Sequence, residues 1–269
     1  MDYFDHEIYK QIMESTYVSH NESVGRPMVA VNAGVDEDHD GTKVHRPIVT
    51  YGNFAFIAAP PKTMKTFYTT LLTASYLGNM EHTGLLDGVD RRGGVVHFDT
   101  EQGKYHCARV QARVKYMCPT SYKDYRMFAL RAIDVPTRIA YIGAYLKENY
   151  ENIGLVIVDG IADLLYDNNN IEESNKVVQK LMTWSADYNV AIVTVIHTNW
   201  GSNKPTGHIG SFLEKKAETQ IGLERDGDNG SGTPIIKVSC RQSRNRPFEE
   251  HWFTVNKGIP EVLTNEFDD

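Results

Sequence analysis

The segment GNFAFIAAPPKTMKT, residues 52–66, carries the reading of the fold. Residues 52–58 are apolar and suited to a strand, and Lys65 and Thr66 open a stretch of helical character that runs to residue 78. A strand that turns through a short loop into a helix beginning Lys-Thr is the context a phosphate-binding loop requires. Such a loop wraps polyphosphate with backbone N–H groups and a helix N-terminus, and it sets a lysine on the β- and γ-phosphates and a hydroxyl on Mg²⁺. Ala59, Pro60, Pro61, Lys62, Thr63, Met64, Lys65 and Thr66 occupy those places, with Lys65 as the phosphate lysine and Thr66 as the metal hydroxyl. Two glycines of the pattern GxxxxGK[ST] are missing, because Ala59 and Met64 stand in their positions. Glycine is favoured there since the backbone bends sharply and approaches the ligand with no Cβ in the way. Taken alone, the octapeptide suits an ordinary strand-to-helix turn as well as a phosphate site.

Outward from this segment, strands and helices alternate. Strand-like runs cover residues 48–58, 94–99, 126–131, 155–159 and 190–197, and helical stretches cover 65–78, 104–118, 137–150 and 172–188. The last helix sets Val177, Leu181, Trp184 and Tyr188 on one face. Near-continuous apolar runs such as LVIVD and VAIVTVIH suit a sheet buried on both faces. The alternation predicts an α/β fold with a mostly parallel central sheet flanked by helices. After residue 217 the rhythm becomes strand–turn–strand (217–225, 226–232, 234–241, 251–255), which predicts antiparallel strands added at one edge. Residues 1–45 read as an N-terminal appendage or linker, with a short amphipathic helix over 1–15 and a polar loop over 32–43 (NAGVDEDHDGTK). Asp36, Asp38, Asp40 and Gly41 imitate the first half of a calcium loop. Pro47 stands where its bidentate glutamate belongs, so a solvated turn is expected there. Residues 46–269 then form one domain.

The 269 residues, 41% hydrophobic and 23% charged, fit one large globular domain or two small ones and exclude a disordered or fibrous chain. A net charge of −7 excludes a wholly basic nucleic-acid coat but leaves room for a local basic channel. Cys107, Cys118 and Cys240 are not spaced as zinc ligands and read as reduced thiols. The start, MDYFDHEIYK, is acidic rather than basic-then-apolar, and the apolar runs are strand-sized. A cytoplasmic chain with no membrane partner is expected.

Companion residues follow in order. Residues 95–102, VVHFDTEQ, carry acids off the end of a buried strand, where open α/β sheets bind ligands. Glu101 there is suited to orient and deprotonate a water attacking a γ-phosphate. GLVIVD ends in Asp159, an acid placed to hold the Mg²⁺ shell, and Asp163 four residues on reads as structural. The strand 190–196 ends at His197, a polar group placed to touch the γ-phosphate and report its loss to the loop 200–210. That loop, with Trp200, Lys204 and His208, has the makings of a single-strand nucleic-acid grip. CRQSRNRP, residues 240–247, concentrates Arg241, Arg244 and Arg246, guanidinium groups suited to a neighbour's γ-phosphate or to a nucleic-acid backbone.

Together these motifs (GNFAFI, the PKxxKT loop, FDTEQ, LVIVDGIxDL, VTVIH, GHIGS with KAET, and the late CR) resemble the RecA-type motor ATPases over residues 48–256. Within them the chain is similar to the RepA-type replicative helicases, in particular to small ATPases of Bacteroides-type mobile elements and phages. The resemblance implies a RecA-like P-loop NTPase fold that binds ATP and Mg²⁺. It implies Lys65 and Thr66 on phosphate and metal, Glu101 as catalytic carboxylate, Asp159 as the Walker B acid, His197 as sensor and Lys62 as the loop's extra lysine. The glycine before the P-loop lysine is often bulkier in that group, as Met64 is here. Thr206 stands where relatives carry arginine before GH(I/L)G, so no arginine role in that loop carries over. The function implied is an ATP-driven motor on single-stranded DNA, a replicative-type helicase of a mobile element or phage in the bacterial cytoplasm. It implies a homo-oligomer, a hexameric ring with ATP between subunits, in which Arg241, Arg244 or Arg246 acts in trans. Two other readings stay open: an ATP-switched single-strand annealing or recombination mediator, and a nucleotide-dependent regulator that binds no nucleic acid.

Overall fold

The computed structural model describes residues 5–79, 81–199 and 201–263. Helix α1 (His6–Thr16) is capped by Asp5, whose carboxylate accepts from the Glu7 N–H. It buries none of its residues and leaves Ile8, Tyr9, Ile12 and Met13 exposed. Strands β1 (Val29–Glu37) and β2 (Lys43–Thr50) form an antiparallel hairpin. Next come β3 (Phe54–Ala59), α2 (Lys65–Tyr76) and the short β4 (Leu86–Gly88), which pairs with β1.

The α/β alternation continues through β5 (Gly94–Asp99), α3 (Lys104–Met117), β6 (Tyr125–Ala129), α4 (Val135–Asn149), β7 (Ile153–Asp159), α5 (Ile171–Asp187) and β8 (Ala191–His197). Local chemistry sets the helix starts. Asp134 accepts from the Thr137 N–H ahead of α4, with proline in the first turn, and Asn170 accepts from the Glu173 N–H ahead of α5. Helix α6 (Gly207–Lys216) leads into β9 (Thr219–Asp228), β10 (Pro234–Ser243), β11 (His251–Asn256) and β12 (Ile259–Leu263).

Nine strands form one sheet in the order β12-β11-β10-β9-β3-β8-β7-β5-β6. The run β9-β3-β8-β7-β5-β6 is parallel, and β9 to β12 are antiparallel to one another. The fold is therefore α/β, a mostly parallel sheet flanked by helices with antiparallel strands at the carboxyl-terminal edge. Every residue of β3 and β7 is buried, because apolar layers cover both faces. One layer holds Tyr68, Leu71 and Leu72 of α2, Val114 and Met117 of α3, and Ala30 and Val31 of β1. The other holds Ile142 and Leu146 of α4, Val177 and Leu181 of α5, and Ile209 and Leu213 of α6.

Several regions differ from the sequence reading. The run 48–58 is not one strand: a turn at Tyr51 and Gly52 divides it between the end of β2 and β3, which lie in different sheets. Residues 32–43 are not a polar loop: Asn32 pairs with Pro47, Val35 with His45 and Glu37 with Lys43, and only a turn closed by Asp38 and Thr42 remains. The acids mislead because they lie at the solvent end of a strand whose other end, Ala30, Val31 and Ala33, is core. The boundary drawn at residues 45/46 falls inside β2. Likewise the end of the stretch 200–210 is helical from Gly207. Among the described residues, no helix is long and apolar enough to cross a membrane.

One close approach fixes the register of the layers. A Cβ at Gly154 would lie 1.8 Å from the Tyr76 hydroxyl, which pairs with the Tyr51 hydroxyl at 2.9 Å and accepts from the Arg92 N–H at 3.1 Å. Gly154→Ala is expected to lower stability by about 1–3 kcal/mol through overpacking. Adding Tyr76→Phe, which removes the obstructing oxygen, should recover part of that loss. Thermal unfolding of the two single variants and the double variant measures this, and strict additivity would contradict the steric account.

Candidate nucleotide site

Parallel register brings four strand ends together: Ala59 of β3 lies opposite His197 of β8, and Asp99 of β5 opposite Asp159 of β7. These are the carboxyl ends, where α/β sheets bind ligands. Between β3 and α2 the chain reverses through residues 60–64. Thr63 Oγ1 donates to the Pro60 carbonyl at 2.7 Å, and Lys62 and Met64 adopt left-handed conformations with φ of 65° and 59°. The missing glycine's backbone is thus retained at Met64, at a cost of about 1–2 kcal/mol for an L-residue. The partly buried Met64 and Phe67 side chains pack against the apolar layer beneath α2. That packing offsets the strain and sets the Met64 side chain against the core.

Lys65 is buried at the first residue of α2, and its Nζ donates to the carbonyls of Pro60 (2.9 Å) and Ala59 (3.4 Å) and to Nδ1 of His197 (3.0 Å). An ammonium has no lone pair, so Nδ1 accepts and Nε2 carries the ring proton. That Nε2 faces Oε1 of Glu101 at 3.4 Å. Burial lowers the Lys65 pKa, and Glu101 and Asp159 oppose the shift. The His197 bond holds the Glu101 carboxyl below its usual range. Glu101 Oε1 also lies over Gly160, where a Cβ would come within 2.7 Å of it.

Thr66 Oγ1 donates to Oδ2 of Asp159 at 3.0 Å and accepts from Gln102 Nε2 at 3.4 Å. Burial, with Asp99 and Glu101 adding repulsion, pushes the Asp159 carboxyl up to about 7. Asp99 is raised by burial too, although its Oδ1 accepts from the N–H groups of Glu101 (3.0 Å) and Gln102 (2.7 Å). A hydroxyl and a buried carboxylate crowded by other acids form a hard, oxygen-donor set that fits Mg²⁺. Thr66 and Asp159 are the residues that would hold it, and the ion would supply neutralising charge to the phosphates.

The arginines lie elsewhere in the same chain. Arg241 donates to the Asn203 carbonyl (2.6 Å) and pairs with Glu224 (3.0 Å). Arg246 pairs with Asp36 (2.8 Å) and Asp38 (3.2 Å), the acids of the calcium-like stretch, and Arg46 also holds Asp36. The Arg244 guanidinium donates to the carbonyls of Lys215 (3.4 Å) and Lys216 (3.2 Å). Asp163 accepts from Thr100 Oγ1 at 3.0 Å, and Lys62 is exposed. Thr206, at the position of the arginine in relatives, donates through N–H (2.9 Å) and Oγ1 (2.8 Å) to the His197 carbonyl. Lys204 and His208 are exposed, and Trp200 lies outside the described residues. Sequence reasoning passed over Gln102, although its place beside Glu101 on the same strand-end loop was a usable signal.

A family model described as AAA domain matches residues 27–203, a span that holds Lys65, Thr66, Glu101, Asp159 and His197. The chain belongs to the AAA domain family. No curated protein matches it. Among solved structures it is similar to the KaiC-like protein PH0186 from the hyperthermophilic archaeon Pyrococcus horikoshii OT3. The TM-score is 0.57 at 17% identity, covering 88% of this chain and 100% of that one. This AAA domain protein thus has a RecA-like fold and is a nucleotide-binding ATPase, and the family match begins at residue 27, just ahead of β1.

The Asp159 shift in this AAA domain has a signed consequence. Below the ordinary aspartate value of 3.8, folded and unfolded chains both hold the proton. As pH rises toward about 7 the unfolded chain has lost it while the folded chain keeps it, so the group's contribution to stability falls with pH. In buffer free of Mg²⁺ and nucleotide, Asp159→Asn is expected to melt higher than the parent, with a gap that widens between about pH 4 and about pH 8. A gap constant over that range in thermal melts would contradict the assignment.

Proposed function

We propose that the protein is an ATP-driven motor on single-stranded DNA, of the replicative-helicase type, working as a ring of identical subunits. The continuous chain Lys65–His197–Glu101 carries this reading, since one imidazole touches both the phosphate lysine and the carboxylate suited to activate water. The β- and γ-phosphates of ATP take the place of the carbonyls that Lys65 now contacts, over backbone amides of residues 60–65. Glu101 aligns a water on the γ-phosphate and takes its proton as the P–O bond breaks. His197 then changes partners according to whether Lys65 is on phosphate.

That change has a mechanical route. The His197 carbonyl holds Thr206, and Asn199 N–H donates to the Lys204 carbonyl at 2.8 Å, so the loop after β8 hangs from the sensor. Arg241 ties the same loop to β10 through Asn203. Movement of the loop against a DNA strand is the work step. Arg244, with no carboxylate partner among the described residues, is the finger offered to the neighbouring subunit's γ-phosphate.

Phosphate release is expected to rise with single-stranded oligonucleotide and to disappear in Lys65→Ala and Glu101→Gln. Unchanged hydrolysis in both variants would remove the site assignment. Arg244→Ala should lose on the order of 10³-fold in rate. Mixing it with Lys65→Ala should restore part of the activity, because mixed rings contain interfaces with both groups intact. No restoration would contradict the trans role.

A further inference from the structure

Behind the nucleotide site, on the sheet face that carries α2 and α3, lies a group the proposed ATP chemistry leaves unused. His97 and Asp99 stand two residues apart on β5 and so share a face, and Asp99 is opposite Asp159 in the ladder. A ring nitrogen of His97, a carboxylate oxygen of Asp99 and one of Asp159 lie within 4.8 Å of one another, and all three residues are buried.

The Tyr125 hydroxyl lies 2.9 Å from Nδ1 of His97 and 3.4 Å from Sδ of Met127, and when it donates to the sulfur its oxygen accepts from a proton on Nδ1. In that tautomer Nε2 carries a bare lone pair, and among the described residues it has no partner. Asp99 Oδ2 is likewise buried without a partner. Both unpartnered atoms are acceptors, and the third member, Asp159, offers a further carboxylate. Buried acceptors crowded this closely are costly unless a proton or a cation stands among them. A histidine whose second nitrogen is pinned by a hydrogen bond is also how ligating imidazoles are held.

We infer that His97, Asp99 and Asp159 form an inner site for a first-row divalent transition cation, separate from the Mg²⁺ position at Thr66. One imidazole and two carboxylates select a borderline metal such as Zn²⁺, Co²⁺ or Mn²⁺ over Mg²⁺, which takes oxygen ligands and keeps its waters. Water completes the coordination. Asp159 belongs to both positions, so filling the inner site draws its carboxylate from Thr66 and opposes Mg²⁺ binding at the outer one.

Co²⁺ is the probe, added to the nucleotide-free full chain. One equivalent should give a visible ligand-field band, retained in Thr66→Ala and lost or weakened by roughly tenfold or more in affinity in His97→Gln and Asp99→Asn. Crystals of the unaltered protein soaked in Co²⁺ give a readout that no misfolded variant can confound. An anomalous peak about 2 Å from a His97 ring nitrogen is expected. A wild-type protein with no band and no peak, a band that survives His97→Gln, or a peak at Thr66 alone would each overturn the inner site. The cluster would then hold a shared proton or water.

Discussion

An ammonium group taken out of water must be met by acceptors, and the site is built around that demand at Lys65. The helix start places its amine back over the end of β3, where two carbonyls and the His197 ring receive it. This arrangement requires β8 beside β3 with His197 opposite Ala59, which the parallel ladder provides. It also requires residues 60–64 to reverse the chain within a few bonds. Left-handed residues at Lys62 and Met64 make that reversal, and core packing of Met64 holds it.

The surroundings are loaded with negative charge. Asp99, Glu101 and Asp159 converge at adjoining strand ends, and burial with mutual repulsion raises the two aspartates. A fold tuned only for stability would not gather acids in this way. The cost is expected at a site that must receive cations, where stability is commonly exchanged for function. Lys65 and the His197 proton meet part of the charge in the nucleotide-free state, and the hydrogen bond between Thr66 and Asp159 meets another part.

Much of this was legible in the sequence because long buried strands and amphipathic helices leave strong periodic signals. β3, β5, β7 and β8, with the polar residues that end them, could be read from apolar runs stopped by Lys-Thr, Asp-Thr-Glu, Asp and His. The hairpin β1–β2 could not, since a strand with acids at its solvent end has the composition of a loop. α6 was hidden by a start among glycines, and its core contacts are the short set Ile209, Phe212 and Leu213. The arginines formed a visible cluster, yet their partners come from distant segments. Asp36, which holds Arg246, is 210 residues away. His97 escaped notice for the opposite reason: within an apolar strand a single histidine reads as filler, and the register of β5 against β7 is what brings Asp159 beside it and Asp99.

The account rests on a loop that has the phosphate-binding backbone without its glycines. A crystal structure with a non-hydrolysable ATP analogue and Mg²⁺ tests it most directly. The account requires the triphosphate to lie over the amides of residues 60–65, with Lys65 Nζ moved from the Pro60 carbonyl and His197 onto phosphate oxygen and Met64 still packed in the core. An analogue bound elsewhere, or a Lys65 that keeps its present partners while Met64 fills the loop, would contradict it.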